Sequence, residues 1–317
     1  MTAELRRTRE TARAYALGGC LAILCAVAQL RLVQFICNID LPVKVAQGVL
    51  AWHPEWPLYQ SRLLAPSLLW LLGSNATAYL LLAFFALTIG GWLSWNLSGL
   101  AGLAIYHAAF AILLSPLFYP WDILEPVVFM VFVSFVAAGR SQWWFVGLYA
   151  VAIFNRQTAQ FIAMWMVVDP LCRRIFGARR LDRKMLVAGI ACMVAGVAMI
   201  WNIQGRAGFV LAKNGNAWLN DYFQYRLGPN LSDLDILDGA FRDVGFHVTP
   251  VILLAIIGLI LGAVVHLVRR DPERFLGLGL MYLTILAAIP AFGIFGETRV
   301  FLDFIPLFVV AGIGLSN

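Results

Sequence analysis

The chain is poor in charged residues. Only 13% of its 317 residues are Asp, Glu, Lys or Arg, whereas 62% are hydrophobic, and the mean hydropathy is +0.82. A soluble globular domain carries about 25% charged residues, so this composition excludes one. No polar stretch is long enough to fold as a separate module. We therefore expect an all-α, polytopic integral membrane protein with a single domain over residues 1–317.

The sequence also lacks a cysteine pattern typical of a disulfide framework or a metal site. Its five cysteines lie in or beside apolar runs, and none shows the CxxC spacing. Buried cysteine behaves as a small hydrophobic residue, so we expect these side chains to pack between helices. Internal repeats are absent from the sequence as well, which weakens the interpretation as an inverted-repeat transporter.

Positive charge is unevenly distributed in this chain of net charge +6. Arginines crowd the N-terminus, and basic residues follow three groups of later apolar runs: Arg140; Arg173, Arg174, Arg179, Arg180, Arg183 and Lys184; and Arg269, Arg270 and Arg274. By the positive-inside rule these segments are cytoplasmic. The pattern predicts cytoplasmic N- and C-termini, a bacterial inner membrane, and membrane lipid rather than nucleic acid as the partner of the basic segments.

The apolar runs predict about ten transmembrane or half-membrane helices, since a full span needs roughly 20 apolar residues. Two polar loops, 37–62 and 205–248, are predicted on the outer face. Residues 63–73 are too few to cross a bilayer and predict a re-entrant or interfacial helix after the first outer loop. The run 142–168 is interrupted at 155–158, which predicts two short helices that meet at an outward-facing polar break.

This topology gathers ionisable residues on the outer face. The acids are Asp40, Glu55, Asp122, Glu125 and Glu297, with Asp303 slightly deeper, and the arginines include Arg31, Arg62, Arg156 and Arg299. Such groups cost about 2.5–3.5 kcal/mol each at membrane depth, so they are kept where they pair or line a wet cavity. Arginine's planar fork matches phosphate oxygens, and a carboxylate can accept a proton from a hydroxyl. The set predicts a pocket for an anionic, phosphate-bearing substrate.

Several short motifs resemble those of the GT-C superfamily of polytopic membrane glycosyltransferases. They are an acid soon after the first span, R-x-L-x-P-x-L at 62–68, D-x-x-x-P at 122–126, NR-x-T at 155–158 and a late E-x-R at 297–299. Enzymes of this superfamily transfer a sugar from a polyprenyl-phosphate carrier to an acceptor on the outer face. The similarity is scattered from Asp40 to Pro306.

The resemblance implies a role for each matching residue. Asp40 would be the catalytic base on the acceptor hydroxyl, or a metal ligand as in metal-using relatives. The substrate-binding residues would be Arg62, Asp122, Glu125, Asn155, Arg156, Glu297 and Arg299. Gln157 stands where the family pattern has a glutamate, which argues against a metal or acid role at that position. Asp40 lacks the adjacent second acid of some relatives, so dependence on a divalent metal is left open. The implied donor is a polyprenyl-phosphate sugar, and the acceptor is a glycan, a lipid or a protein.

Structural roles compete with these assignments. Asp40 suits the N-cap of a helix that starts near Leu41, and Arg62 suits an interface anchor. Arg299 and Asp303 have the spacing of a helical ion pair.

Two further positions on the outer face carry the same ambiguity. Asp122 and Glu125 suit the first turn of a helix, in the manner of a capping box. Trp121 fits an aromatic belt, with sugar stacking as the alternative. Arg156 is harder to explain structurally because no acid lies near it in sequence. The rival functions are a transporter or flippase of an anionic or lipid-linked solute, and a structural subunit of a membrane complex.

Overall fold

The computed structural model describes residues 2–53, 59–115, 117–176, 181–206, 250–292 and 298–312. Every regular element in these ranges is helical, which confirms the all-α class. The helices are α1 (Thr2–Ile36), α2 (Asp40–Leu50), α3 (Leu64–Leu71), α4 (Ala76–Leu113), α5 (Pro120–Ala137), α6 (Gln142–Ala152), α7 (Gln160–Phe176), α8 (Arg183–Arg206), α9 (Pro250–Arg270), α10 (Pro272–Phe292) and α11 (Ile305–Ala311). Two 3₁₀ segments cover Gln157–Ala159 and Thr298–Phe304. Residues 205 and 206 of the predicted outer loop are the last two residues of α8, whereas residues 207–248 of that loop and Glu297 lie outside the described residues.

Six of the described helices are long and apolar enough to cross a membrane. These segments are Ala12–Ile36, Ala76–Leu113, Pro120–Ala137, Arg183–Ile203, Leu253–Arg270 and Pro272–Ile289. The chain is thus a membrane protein with transmembrane helices. About ten crossings stay a prediction, because other helices are short: the eight residues of α3 and the 11 of α6 reach about 12 and 16 Å at 1.5 Å per residue. Whether α3 is interfacial or re-entrant also stays a prediction.

Helix α4 reverses direction at a sharp kink. Ser98 and Gly99 leave the helical conformation, and Gly99 has φ +61° and ψ −145°. The two arms, 76–97 and 100–113, pack against each other so closely that a Cβ on Gly102 would lie 2.3 Å from the Ser94 carbonyl oxygen. The predicted reversal near residues 96–100 therefore has a glycine hinge as its structural basis.

Replacing Gly99 with alanine tests this hinge. A left-handed backbone conformation at a non-glycine residue costs about 1–3 kcal/mol, so we expect Gly99→Ala to lower thermal stability in detergent measurably. The matched control is Gly147→Ala in α6, where an added Cβ has no neighbour within 4 Å; its expected effect is neutral or stabilising by about 0.4–1 kcal/mol. Equal losses in both variants would contradict the hinge.

The predicted break between residues 155 and 158 is present. Helix α6 ends at Ala152, and α7 begins at Gln160 after a 3₁₀ turn. Phe145 and Trp165, equally far on either side of Asn155, have ring centroids 4.8 Å apart. The chain therefore folds back at the break, which lies at the tip of an α6–α7 hairpin.

Helix α5 runs between two ends of the bundle. Its C-terminal end lies among basic residues, and its N-terminal end lies beside the polar break at residues 155–158. At its C-terminus, the Ala137 carbonyl accepts a hydrogen bond of 2.7 Å from the Arg274 guanidinium. A cavity of about 240 Å³ there is lined by Gly139, Arg173, Asp271 and Arg274. The ends of α5 and α7 and the α9–α10 junction thus share one face, as the charge pattern predicts. Asp122 lies at the other end of α5, about 22 Å away by helical rise.

Candidate functional site

Two arginines meet one carboxylate at the N-terminal end of α5. Arg156 Nη1 is 3.6 Å from Asp122 Oδ1, and Arg299 Nη1 is 3.6 Å from Asp122 Oδ2. Asp122 is 1% exposed, while the two arginines retain 13% and 14% exposure. Both separations exceed the usual 2.7–3.2 Å of an N–H···O hydrogen bond. Both contacts are therefore ion pairs rather than hydrogen bonds, and Arg156 Nη1 has no hydrogen-bond partner among the described residues.

Local sequence explains the position of Asp122. Pro120 starts α5 with the backbone angle that a first helical turn needs, and Asp122 is the third residue of that turn. Its Oδ2 accepts a hydrogen bond of 3.1 Å from the Tyr119 backbone N–H. Asp122 thus belongs to a capping box, as predicted, but it is the third helical residue of a box with Tyr119 rather than the cap of a box with Glu125. The same carboxylate also pairs with two arginines.

Three aromatic rings form one wall of the site. Tyr119 and Trp121 stack with centroids 4.9 Å apart, and Tyr59 contacts both rings. Arg299 lies over Tyr119 at 4.9 Å, while Arg62 lies 4.5 Å from Tyr59 and 5.1 Å from Trp121. Trp121 is completely buried, so its assignment to an aromatic belt is wrong. These rings hold guanidinium groups in place by cation–π contact.

Arg62 is the third member of what we call the arginine cluster: Arg62, Arg156 and Arg299 around Asp122. Its Nε is buried without a hydrogen-bond partner among the described residues. Burial, and then the charge of Arg156, lower the pKa of Arg62 to about 10. The group stays protonated at neutral pH, so its charge is incompletely compensated. A bound anion would balance the positive charge of Arg62. An arginine that only anchors its helix at the lipid interface has its charge in water and needs no such anion.

The break at Asn155 supports the floor of the site. Asn155 is fully buried, and its Nδ2 donates to the Trp121 carbonyl at 3.0 Å and to Glu125 Oε2 at 2.8 Å. The Thr158 hydroxyl donates to Glu125 Oε1. Asn155 and Thr158 therefore fix Glu125 one helical turn below Asp122. Both members of the NR-x-T motif that flank Arg156 serve to position a carboxylate.

Glu125 also contacts Asp303, whose side chain is hydrogen-bonded to it. A hydrogen bond between two carboxyl groups requires a proton on one of them. Burial, and then the Glu125 carboxylate, raise the pKa of Asp303 well above its ordinary value. The pair therefore carries one negative charge. With Asp122, two negative charges face the three positive charges of the arginine cluster, and the site has a net positive charge.

The shared proton predicts a pH dependence of anion binding. Because the pKa of Asp303 is raised, the pair keeps its proton to higher pH than an ordinary carboxyl group does and loses it as pH rises further. The second negative charge then opposes an anion beside Arg156, so affinity falls. We expect Asp303→Asn, which stays neutral, to flatten the alkaline decline in phosphate-ligand affinity measured by calorimetry. Equal pH profiles for the two proteins would contradict a shared proton.

Asp40, the predicted catalytic base, does not join the cluster by a hydrogen bond or ion pair within the described residues. It is exposed and is the first residue of α2. Ile39 is the N-cap residue, and no side chain caps this helix end. The capping interpretation of Asp40 is therefore wrong. Its carboxylate is exposed in the first turn of α2, where a negative charge interacts favourably with the helix dipole.

Helix α2 links Asp40 to the aromatic wall. Val45 and Val49 pack in one cluster with Tyr119 and Trp121, and Gln60 donates to the Val49 carbonyl at 2.7 Å. The helical part of the loop 37–62 therefore packs against the aromatic wall beside the arginine cluster. Residues 54–58 of this loop, which include Glu55, lie outside the described residues.

The structure brings together six of the seven predicted substrate-binding residues, with Asp122 and Glu125 among them. The residues assembled with the two acids are Arg62, Asn155, Arg156 and Arg299. The seventh predicted residue, Glu297, lies outside the described residues. Arg299 forms an ion pair with Asp122. Its segment is a 3₁₀ helix, in which residues four apart, such as Arg299 and Asp303, are not aligned on one face as they are in an α-helix. Sequence reasoning missed Tyr59 and Tyr119, whose only signal was their position beside Arg62 and Asp122.

Among the residues that the structure describes, no three or more His, Cys, Asp or Glu side chains are arranged to hold a metal ion. All five cysteines are free, and Cys37, Cys172 and Cys192 are buried. No protein-family model matches this chain, and no significantly similar protein was found among the curated proteins or the solved structures.

Proposed function

We propose that this chain is a membrane glycosyltransferase of the GT-C type. It transfers a sugar from a polyprenyl-phosphate carrier to a glycan, lipid or protein acceptor on the outer face of a bacterial inner membrane. The observation that supports this most is the arginine cluster: three guanidinium groups of net positive charge in a partly buried site inside a membrane protein.

Phosphate is the anion chemistry that best suits this cluster. Three guanidinium groups offer planar donors to a tetrahedral anion with several oxygens, a geometry that arginine serves better than lysine. The ring of Tyr59 beside Arg62, which is only partly buried, offers apolar area of the kind on which a sugar ring stacks. The phosphate of the donor would bind Arg62, Arg156 and Arg299, with Asp122 as their fixed counter-charge.

In this proposal the membrane topology places the arginine cluster outside and the basic end inside. The basic end, with Arg173 and Arg274, lies at the opposite end of α5, and such residues favour the cytoplasmic face. Both termini are then cytoplasmic, and the single domain carries its outer loops 37–62 and 205–248 on the substrate side. A divalent metal stays open as a cofactor.

Replacing Asp40 tests the enzyme proposal. Loss of a general base lowers turnover by about 10²–10⁴-fold, so Asp40→Asn should abolish measurable sugar transfer while donor lipid still binds. The matched control is Glu273→Gln, an exposed carboxylate at the basic end, which should transfer sugar normally. Retained turnover in Asp40→Asn would remove Asp40 from the mechanism without affecting the phosphate site.

A transporter or flippase of an anionic or lipid-linked solute is the second candidate. The observation that favours it is the contact between the buried side chains of Glu125 and Asp303 beside the arginine cluster. Buried carboxyl groups of this kind serve as proton-binding sites in membrane transporters. Movement of the lipid-linked sugar in sealed proteoliposomes, without a covalent product, would favour transport over transfer.

A further inference from the structure

A lipid-facing groove runs between α6 and α8, away from the arginine cluster. It has a volume of about 630 Å³. The apolar part of its wall is formed by Val146, Val187, Ala188, Ala191 and Cys192, and its head is formed by Gln142, Trp143, Arg183 and Lys184. Only 17% of the spanning window of α8 is buried in the bundle. The groove therefore opens toward the bilayer.

The depth of the groove matches one leaflet. Helix α6 has 11 residues, which extend about 16 Å. On α8, Cys192 lies about 14 Å from Arg183 by helical rise. Half of a hydrocarbon core about 30 Å thick is about 15 Å. An acyl chain entering beside Arg183 would thus follow apolar wall to the middle of the bilayer.

The charge at the head of the groove selects among lipids. Arg183 and Lys184 are both exposed there. The neighbouring Asp182 carboxylate is engaged, since its Oδ1 accepts a hydrogen bond of 3.0 Å from the Met185 N–H. Arg140, in the turn before α6, adds a positive charge and lies over the Trp144 ring at 5.4 Å. The head is therefore positive, while the wall below it is apolar.

We propose that the α6–α8 groove is a binding site for one phospholipid with an anionic headgroup, in the leaflet where α6 and α8 begin. The headgroup phosphate contacts Arg183 and Lys184, the Trp143 indole lies at the interface, and one acyl chain fills the groove. This site is independent of the proposed sugar transfer, because the arginine cluster lies at the opposite end of α6, beyond Ala152.

The test uses the purified full chain, stripped of lipid and titrated with phosphatidylglycerol or phosphatidylcholine, with bound lipid counted by native mass spectrometry. The wild type should bind one phosphatidylglycerol in preference to phosphatidylcholine. A juxtamembrane basic residue contributes roughly a fivefold gain in affinity for anionic lipid. We therefore expect R183Q/K184Q to weaken phosphatidylglycerol binding about 25-fold.

Two controls separate a built site from general surface attraction. R269Q/R270Q removes two basic residues at the end of α9 that do not line the groove, and it should bind like the wild type. Ala191→Trp, which fills the groove from its exposed side, should lose the lipid, whereas Ala16→Trp on the exposed face of α1 should keep it.

Three outcomes would overturn the proposal. Equal retention of both lipids would show that charge does not select the occupant. Equal effects of R183Q/K184Q and R269Q/R270Q would show surface attraction alone. A change in oligomeric mass on Ala191→Trp, with lipid binding unchanged, would assign the groove to contact between two copies of the chain.

Discussion

Arg156→Gln is expected to abolish sugar transfer and to weaken binding of polyprenyl phosphate by about 10–150-fold. The magnitude follows from about 1.5–3 kcal/mol for a hydrogen bond to a charged group. Arg156 belongs to the polar break at 155–158 and pairs with Asp122, and its Nη1 has no hydrogen-bond partner among the described residues. A phosphate oxygen would be the partner that completes it. Binding is measured on the detergent-purified protein by calorimetry.

Two variants control this experiment. Arg156→Lys keeps the charge but loses the planar fork, so its affinity should fall between those of the wild type and glutamine. Arg140→Gln removes an arginine that contacts Trp144 at the basic end, and it should bind polyprenyl phosphate normally. Comparable losses for Arg140→Gln and Arg156→Gln would contradict a specific phosphate role for Arg156.

Asp122→Asn is expected to destabilise the protein by about 3–5 kcal/mol, because it leaves buried arginine charge without its counter-charge. Asparagine keeps the shape of the side chain and an oxygen that can accept the Tyr119 N–H hydrogen bond. The loss is therefore electrostatic rather than one of capping. Added polyprenyl phosphate should raise the melting temperature of this variant more than that of the wild type, because the phosphate replaces the missing carboxylate.

The matched control is Asp182→Asn. Asp182 also accepts a hydrogen bond at the start of a helix, from the Met185 N–H, but it is exposed and has no buried arginine beside it. Asparagine and aspartate cap helices about equally well, so this variant should melt like the wild type. Unchanged stability of Asp122→Asn would mean that the arginine cluster does not depend on Asp122.

Much of the fold follows from hydropathy and charge. The apolar runs define the long helices because a span must satisfy its own backbone hydrogen bonds. The polar interruption at Asn155 marks the tip of the α6–α7 hairpin, since three polar residues cannot continue a lipid-facing helix. Hydropathy suggests that the chain reverses direction within α4, and the structure shows that the backbone conformation of Gly99 allows this reversal. The basic segments meet at one end, as the positive-inside rule requires.

The sequence predicted which residues lie in the site, but not which of their side chains contact each other. Topology alone brings Asp122, Arg156 and Arg299 to one end of the bundle, yet their pairing depends on how α5, the break and a 3₁₀ segment pack. Asn155 gave no sign in sequence that it would bind Glu125 rather than substrate. Long-range side-chain contacts of this kind are set by tertiary packing, which spacing along the chain does not encode.

Asp40 shows the opposite case. Its position after the first span suggested a role beside the other acids, but α2 places it at an exposed helix start, while Val45 and Val49 of the same helix pack on the aromatic wall. A base at that position can act only on an acceptor that approaches from outside the cluster. The donor phosphate and the acceptor hydroxyl would then enter the site from different sides.

A cryo-EM structure of the protein with bound polyprenyl phosphate tests the central claim most directly. The account predicts phosphate density among Arg62, Arg156 and Arg299, with guanidinium N–H donors at about 2.7–3.2 Å from its oxygens, and the prenyl chain directed toward the bilayer. Phosphate density at the basic end, beside Arg173 and Arg274, or none at the arginine cluster at saturating ligand, would contradict it.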